Sequence, residues 1–171
     1  VRATLTGVAN ANGLAWSPDR RTLYWTDTPT HTIKRFACDV NGNPQGAGEV
    51  FVQFDAKPEG WTPGEPGYGG RPDGAAVDAD GNYWCAMYEG GQVLQLSPQG
   101  EVLGQHYTPA LCPTMPCFGG ADGRTLYVTS ARHGRSADEL AQLPLSGCVF
   151  AMRVSVKGLP TQPWRESMAL V

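Results

Sequence analysis

Charge is scarce in this sequence: Asp, Glu, Lys and Arg make up 17% of its 171 residues, where an ordinary globular domain carries about a quarter. What charge there is leans acidic, with a formal net charge of −3 and a pI of about 5.5. The densest basic cluster is Arg20-Arg21, and Asp19 sits beside it. No stripe of Lys and Arg exists to follow a phosphate backbone, so nucleic acid is excluded as a partner. Long apolar runs are missing too. None approaches the ~20 residues that a membrane helix needs, and no signal-peptide pattern opens the chain. No membrane partner is expected.

Several chemical motifs are also absent. Ser17 and Ser130 lie in no Gly-x-Ser-x-Gly elbow, which argues against a serine hydrolase. There is no glycine-rich phosphate loop. His31, His106 and His133 show no metal-ligand spacing and read as surface or loop residues. The five cysteines, at 38, 85, 112, 117 and 148, are odd in number and include no C-x-x-C pair. That excludes the usual disulfide frameworks and zinc clips. Cys85 and Cys148 fall in apolar, strand-like contexts, so the expectation is buried free thiols in a reducing cytoplasm.

Turn formers are abundant instead: 22 Gly and 14 Pro, with aromatics at 9% to build a core. Such a composition suits many short strands joined by tight turns. The order of residues agrees, because one pattern occurs three times. Residues 13–27 read Gly-Leu-Ala-Trp-Ser-Pro-Asp-Arg-Arg-Thr-Leu-Tyr-Trp-Thr-Asp. Residues 74–87 read Gly-Ala-Ala-Val-Asp-Ala-Asp-Gly-Asn-Tyr-Trp-Cys-Ala-Met. Residues 117–130 read Cys-Phe-Gly-Gly-Ala-Asp-Gly-Arg-Thr-Leu-Tyr-Val-Thr-Ser. Each is an apolar strand, a turn (Pro18-Asp19, Asp80-Gly81, Asp122-Gly123) and a second apolar strand. Third strands are predicted at 32–36, 92–96 and 148–153, and fourth strands at 49–54 and 101–107. Residues 2–8 suggest a leftover strand of an earlier repeat.

Four strands per repeat of roughly 40–50 residues is the pattern of a propeller blade. The expected fold is therefore all-β, a β-propeller of three to four blades in a single partial domain spanning residues 1–171. The blades are expected at about 9–54, 72–108 and 114–158, with a Gly/Pro-rich insertion at 55–71. That insertion reads either as a rim loop over a ligand or as a tolerated surface excursion. A short helix is predicted over 136–142, with Ser136 as N-cap, Glu139 completing a capping box and Pro144 ending it. Trp16, Trp25 and Trp84 fit packing between blades. The chain opens on Val1 rather than Met, which reads as processing, trimming or fragmentation.

Aligning the repeats puts Asn12, before Gly13, at the station of Asp73, before Gly74; Met115 or Pro116 stands there in the third. The first strand of a blade lines the central channel, so two adjacent blades offer oxygen donors around one axis. Converging oxygens suit Ca²⁺, Mg²⁺ or Mn²⁺, and Zn²⁺ is compatible. Asn-Gly and Asp-Gly are equally ordinary turn dipeptides. Asp27 reads as a hydrogen-bonding strand end, and Phe118 and Met115 as core.

Taken together, three segments resemble one family. Asn12-Gly13-Leu14-Ala15-Trp16-Ser17-Pro18 is similar to the asparagine-glycine-leucine motif of the gluconolactonase/regucalcin lactonases. Arg71-Pro72-Asp73-Gly74-Ala75-Ala76-Val77-Asp78, followed by Gly81-Asn82-Tyr83-Trp84, is similar to their proline-aspartate-glycine motif. Cys117-Phe118-Gly119-Gly120, then residues 126–132, resembles a third landmark. The resemblance implies a six-bladed propeller, of which this chain is the C-terminal half. It implies one divalent cation in the channel, held by Asn12 and Asp73 and by a glutamate from an N-terminal part that this chain does not match. It also implies hydrolysis of a sugar lactone, with Asp73 taking a proton from water. The family's substrate-contacting Arg and Asn fall in the unmatched part. Half a ring leaves open faces, so a homodimer or a missing N-terminal half is expected to complete it. The rivals are a propeller binding module without turnover, which the Tyr24-Trp25-Thr26-Asp27 string favours because it is similar to receptor-propeller repeats, and an inactive truncated relative.

Overall fold

The computed structural model describes residues 4–160. A first sheet holds β1 (Ala11–Trp16), β2 (Thr22–Asp27), β3 (Thr32–Ala37) and β4 (Glu49–Gln53) in that order. A second holds β5 (Arg71–Val77), β6 (Tyr83–Tyr88), β7 (Gln92–Leu96) and β8 (Val102–Tyr107), again in chain order. The third contains β9 (Pro113–Gly119), β10 (Thr125–Ser130) and β11 (Val149–Arg153). All neighbouring strands run antiparallel. The sheets stack face to face with β1, β5 and β9 side by side, which is the arrangement of propeller blades around an axis. The all-β propeller expectation holds.

The second sheet explains the stacking best. Every residue from Tyr83 to Met87 in β6 is buried. Side chains alternate across a strand, so Tyr83, Cys85 and Met87 pack with Tyr24, Ile33 and Ala15 of the first sheet. Trp84 points the other way, to Leu126 and Val128 of the third sheet. Its ring stacks on His106 at 4.8 Å and meets Phe118 edge-on at 5.6 Å. A strand apolar on both sides is thus the mark of a blade with two neighbours.

Asp78 fixes the second hairpin. It is wholly buried and accepts from Asp80 N, Asn82 N, Asn82 Nδ2 and Trp84 Nε1 at 2.8–3.0 Å. In the first hairpin Ser17 takes that place, receiving Thr22 N at 2.9 Å. Removing the Asp78 carboxylate leaves the buried Trp84 Nε1 and the part-buried donors of Asp80 and Asn82 without their acceptor. Asp78→Ala is expected to cost about 3 kcal/mol, seen as a lower urea midpoint with an unchanged slope. An unchanged midpoint would contradict this role.

Several expectations need correction. Trp16 is 38% exposed and donates to Gly42 O at 3.1 Å, because the hairpin turns it off the blade face. Trp25 packs on Phe36 beneath Leu5 and Val8, on the outer face of the first sheet. Residues 4–8 form no strand, and residues 2 and 3 lie outside the described residues. Cys148 is exposed, as is Cys117, although all five thiols are free. His31 is buried rather than superficial. Met115 is 45% exposed, whereas Phe118 does join the core. The helix α1 (Ala137–Gln142) forms with Ser136 Oγ accepting from Glu139 N. The Glu139 carboxylate, however, turns to Arg135 at 2.7 Å, so half of the capping box is made. Among the described residues, no helix is long and apolar enough to cross a membrane.

Candidate functional site

The inner strands β1 and β5 each carry a bulge. The β1–β2 register slips between Asn12 and Ala15, and the β5–β6 register slips between Pro72 and Ala75. A bulge re-aims a side chain that regular pleating would send elsewhere. Here both irregularities fall on the candidate residues. The result is direct contact: Asn12 Nδ2 donates to Asp73 Oδ1 across the two blades. Asn12 Oδ1 accepts from Gly13 N at 3.1 Å, which orients the amide.

The glycine after each residue has a physical reason. Gly13 has φ +52, and a Cβ there would strike Thr26 Oγ1, Tyr83 Oη and, at 2.8 Å, Asp73 O. Without a side chain the backbone comes close enough for Tyr83 Oη to donate to Gly13 O at 2.6 Å. Tyr83 therefore pins the Asn12 bulge to the next blade. Gly74 serves the other side: a Cβ there would strike Thr114 O and Met115. The bulges and their glycines bring three inner strands together at one level.

Burial pushes the Asp73 carboxyl up to about 6, with the nearby Arg71 charge partly opposing. No ion pair to Asp73 is formed among the described residues. A carboxylate taken from water without a cation is costly, and a metal ion would relieve it. With the Asn12 amide turned so that Oδ1 rather than Nδ2 faces Asp73, the carboxylate and the carboxamide fit a hard divalent cation as two of its oxygen ligands. They are not a full set. Among the described residues no three of His, Cys, Asp and Glu gather as a metal cluster, and the third blade brings the apolar Met115 to Gly74.

Asp73 opens into a cavity of about 240 Å³, lined with Asn10, Thr28, Pro29, Arg71 and Tyr88. A larger opening, of about 560 Å³, lies by Asp19, Tyr24, Arg35 and Asp80 near the hairpin turns. Its Arg35 is already closed on Glu49 at 2.6 Å and Asp73 does not line it; the smaller cavity, which Asp73 lines and Asn12 reaches only through its contact with Asp73, is the better site.

The insertion is tied to both sides of that cavity. Tyr68 Oη meets His31 Nε2 at 2.8 Å, just beyond the Thr28-Pro29 wall. Lys57 Nζ bonds Glu89 at 3.0 Å, just beyond Tyr88. Glu89 is buried and also receives Arg135 at 3.3 Å. Sequence reasoning missed Tyr83, Glu89 and Arg71 as parts of the site. Arg71 had a visible signal, since it stands two residues before Asp73 on one strand.

The family model described as the SMP-30/gluconolactonase/LRE-like region matches residues 1–132. A 6-deoxy-6-sulfogluconolactonase of Pseudomonas putida is 51% identical over 148 residues, 86% of this chain and 47% of that protein. Regucalcin of Danio rerio is 36% identical over 152 residues, 88% of this chain and 48% of its own length. Among solved structures, the calcium-binding protein regucalcin from Agrobacterium tumefaciens superposes with a TM-score of 0.77 at 31% identity, covering 89% of this chain and 48% of that one. The chain spans about half the length of the relatives it matches. By the family match, and by likenesses that cover most of its length, the chain belongs to the SMP-30/gluconolactonase/LRE-like family.

Proposed function

We propose that the protein hydrolyses a sugar lactone to the sugar acid, using a divalent cation held in part by Asn12 and Asp73. The observation that carries this reading is the contact of those two side chains across adjacent blades, each re-aimed by a bulge. The names of the relatives, a sulfogluconolactonase and a calcium-binding regucalcin, support the substrate class and the ion. A bound cation would supply Lewis acidity, polarising an ester carbonyl and making water more acidic. Asn12 contributes a neutral oxygen, which leaves net positive charge at the site. Asp73 orients a water at the cavity floor and takes its proton as that water attacks the lactone carbon. The ring C–O bond breaks, the ring oxygen takes the proton back from Asp73 and leaves as an alcohol, and the acid so formed ionises to a carboxylate. Hydrolysis of gluconolactone-type substrates that stops on chelation and returns with Ca²⁺, Mn²⁺, Mg²⁺ or Zn²⁺ supports the reading. Chelator-resistant hydrolysis overturns it. We place the protein in the cytoplasm, a setting in which its five free thiols stay reduced.

The outer face of the third sheet supports the expectation of a covering partner. Tyr127 and Val149 stand 42% and 62% exposed there, apolar surface of the kind that drives association. The 171-residue chain on its own is expected to run as a dimer in light scattering on a sizing column. A monodisperse monomer would overturn this.

A further inference from the structure

Resting on the lactonase reading, we propose that Arg71 recognises an anionic substituent on the lactone, a sulfonate or carboxylate at the end of the sugar away from the ester. Arg71 and Asp73 line the same cavity. Both come from β5, and the guanidinium lies over the Tyr88 ring at 5.0 Å. That stacking holds the group flat and leaves its edge to make hydrogen bonds.

The surrounding charges leave Arg71 available. Glu89 receives Lys57 at 3.0 Å and Arg135 at 3.3 Å. Arg71 Nη2 stands 3.7 Å from the other Glu89 oxygen, beyond hydrogen-bond range. Arg135 is also held by Glu139 at 2.7 Å. Three cations, Lys57, Arg71 and Arg135, thus share two anions, Glu89 and Glu139. Asp73, whose charge feels Arg71, is taken up by the cation in the lactonase reading; one positive charge is then in surplus, and Arg71 is the member with the weakest partner. Its Nε is buried without an acceptor among the described residues, as is Glu89 Oε2 without a donor; the Nη edge is the open part of a side chain that is 32% exposed. A planar fork of donors with spare positive charge, beside the reacting carboxylate, matches a bidentate oxyanion.

The geometry also assigns an orientation. The ester end must reach Asp73, so the anionic end lies toward Arg71 and Tyr88. Asn10 and Thr28, also on the cavity wall, are neutral polar groups suited to hydroxyls between the two ends.

The test is calorimetric binding of open-chain sugar acids to the whole chain. The probes are gluconate, which is neutral at its far end, 6-deoxy-6-sulfogluconate and glucarate. An oxyanion gripped by a guanidinium should bind about 10–100-fold tighter than gluconate. The tighter of the two dianions names the substituent. Arg71→Gln should erase the preference, Arg71→Lys should keep part of it, and Lys57→Gln, which frees Glu89 to close on Arg71, should weaken it. Equal binding of all three acids overturns the proposal, as does a preference that survives Arg71→Gln. Cation binding and hydrolysis of uncharged lactone are read separately. If they persist while the anion preference is absent, this inference fails and the lactonase reading stands.

Discussion

Asp73→Asn is expected to lower lactone hydrolysis on the order of 10³-fold while leaving the protein folded. The substitution keeps the size and planarity of the side chain, so the bulge at Pro72–Ala75 is preserved. It removes the negative charge that a cation would meet and the base that would accept a proton. The loss should appear in kcat, because both roles act on the reacting centre. The measurement is acid release in a pH-stat, made on the associated form of the chain. A change confined to KM would mean that Asp73 only binds substrate.

Gly13→Ala is expected to be the most destabilising single-methyl change near the site. Position 13 has φ +52, which costs a residue with a side chain about 1–2 kcal/mol. Its new methyl would also press on Thr26, Tyr83 and the Asp73 backbone, an overpacking cost of about 1–3 kcal/mol. Relief requires β1 and β5 to part, which separates Asn12 from Asp73. Stability and cation affinity should therefore fall together, in urea unfolding and in metal titration. Tyr83→Phe makes the comparison useful. It adds no bulk and removes only the bonds of Tyr83 Oη to Gly13 O and Thr26 Oγ1, so it should cost about 1–2 kcal/mol. Equal losses for the two variants would contradict the steric argument.

The particular residues show why some of this was legible in sequence. Turn chemistry is local, so Asp19, Asp80 and Asp122 mark hairpins wherever the chain goes. A short apolar run bounded by turn residues is also local, which made β6 and β10 visible from Tyr83-Trp84-Cys85 and Leu126-Tyr127-Val128. The meeting of Asn12 and Asp73, which are 61 positions apart, could be anticipated because repeats convert sequence alignment into spatial equivalence. Other features depend on which face a neighbour covers. Trp16 is apolar like a core residue, yet among the described residues no sheet lies over it. Cys148 stands next to an apolar strand whose outer face is open. The ties from Tyr68 to His31 and from Lys57 to Glu89 join a loop without periodicity to turns far along the chain, and no local pattern encodes such pairs. Glu89 looks like a turn residue beside two glycines, and only the fold brings three cations to it.

The most direct test of the central claim is calorimetric titration of a divalent cation into chelator-treated protein, run on the wild-type chain, Asn12→Ala and Asp73→Ala. One cation per chain should bind the wild type, and each variant should lose affinity by roughly 100-fold, since two donors of one hard-ion shell are being removed in turn. No binding to the wild type, or equal affinity in all three proteins, would contradict a metal centre built on Asn12 and Asp73.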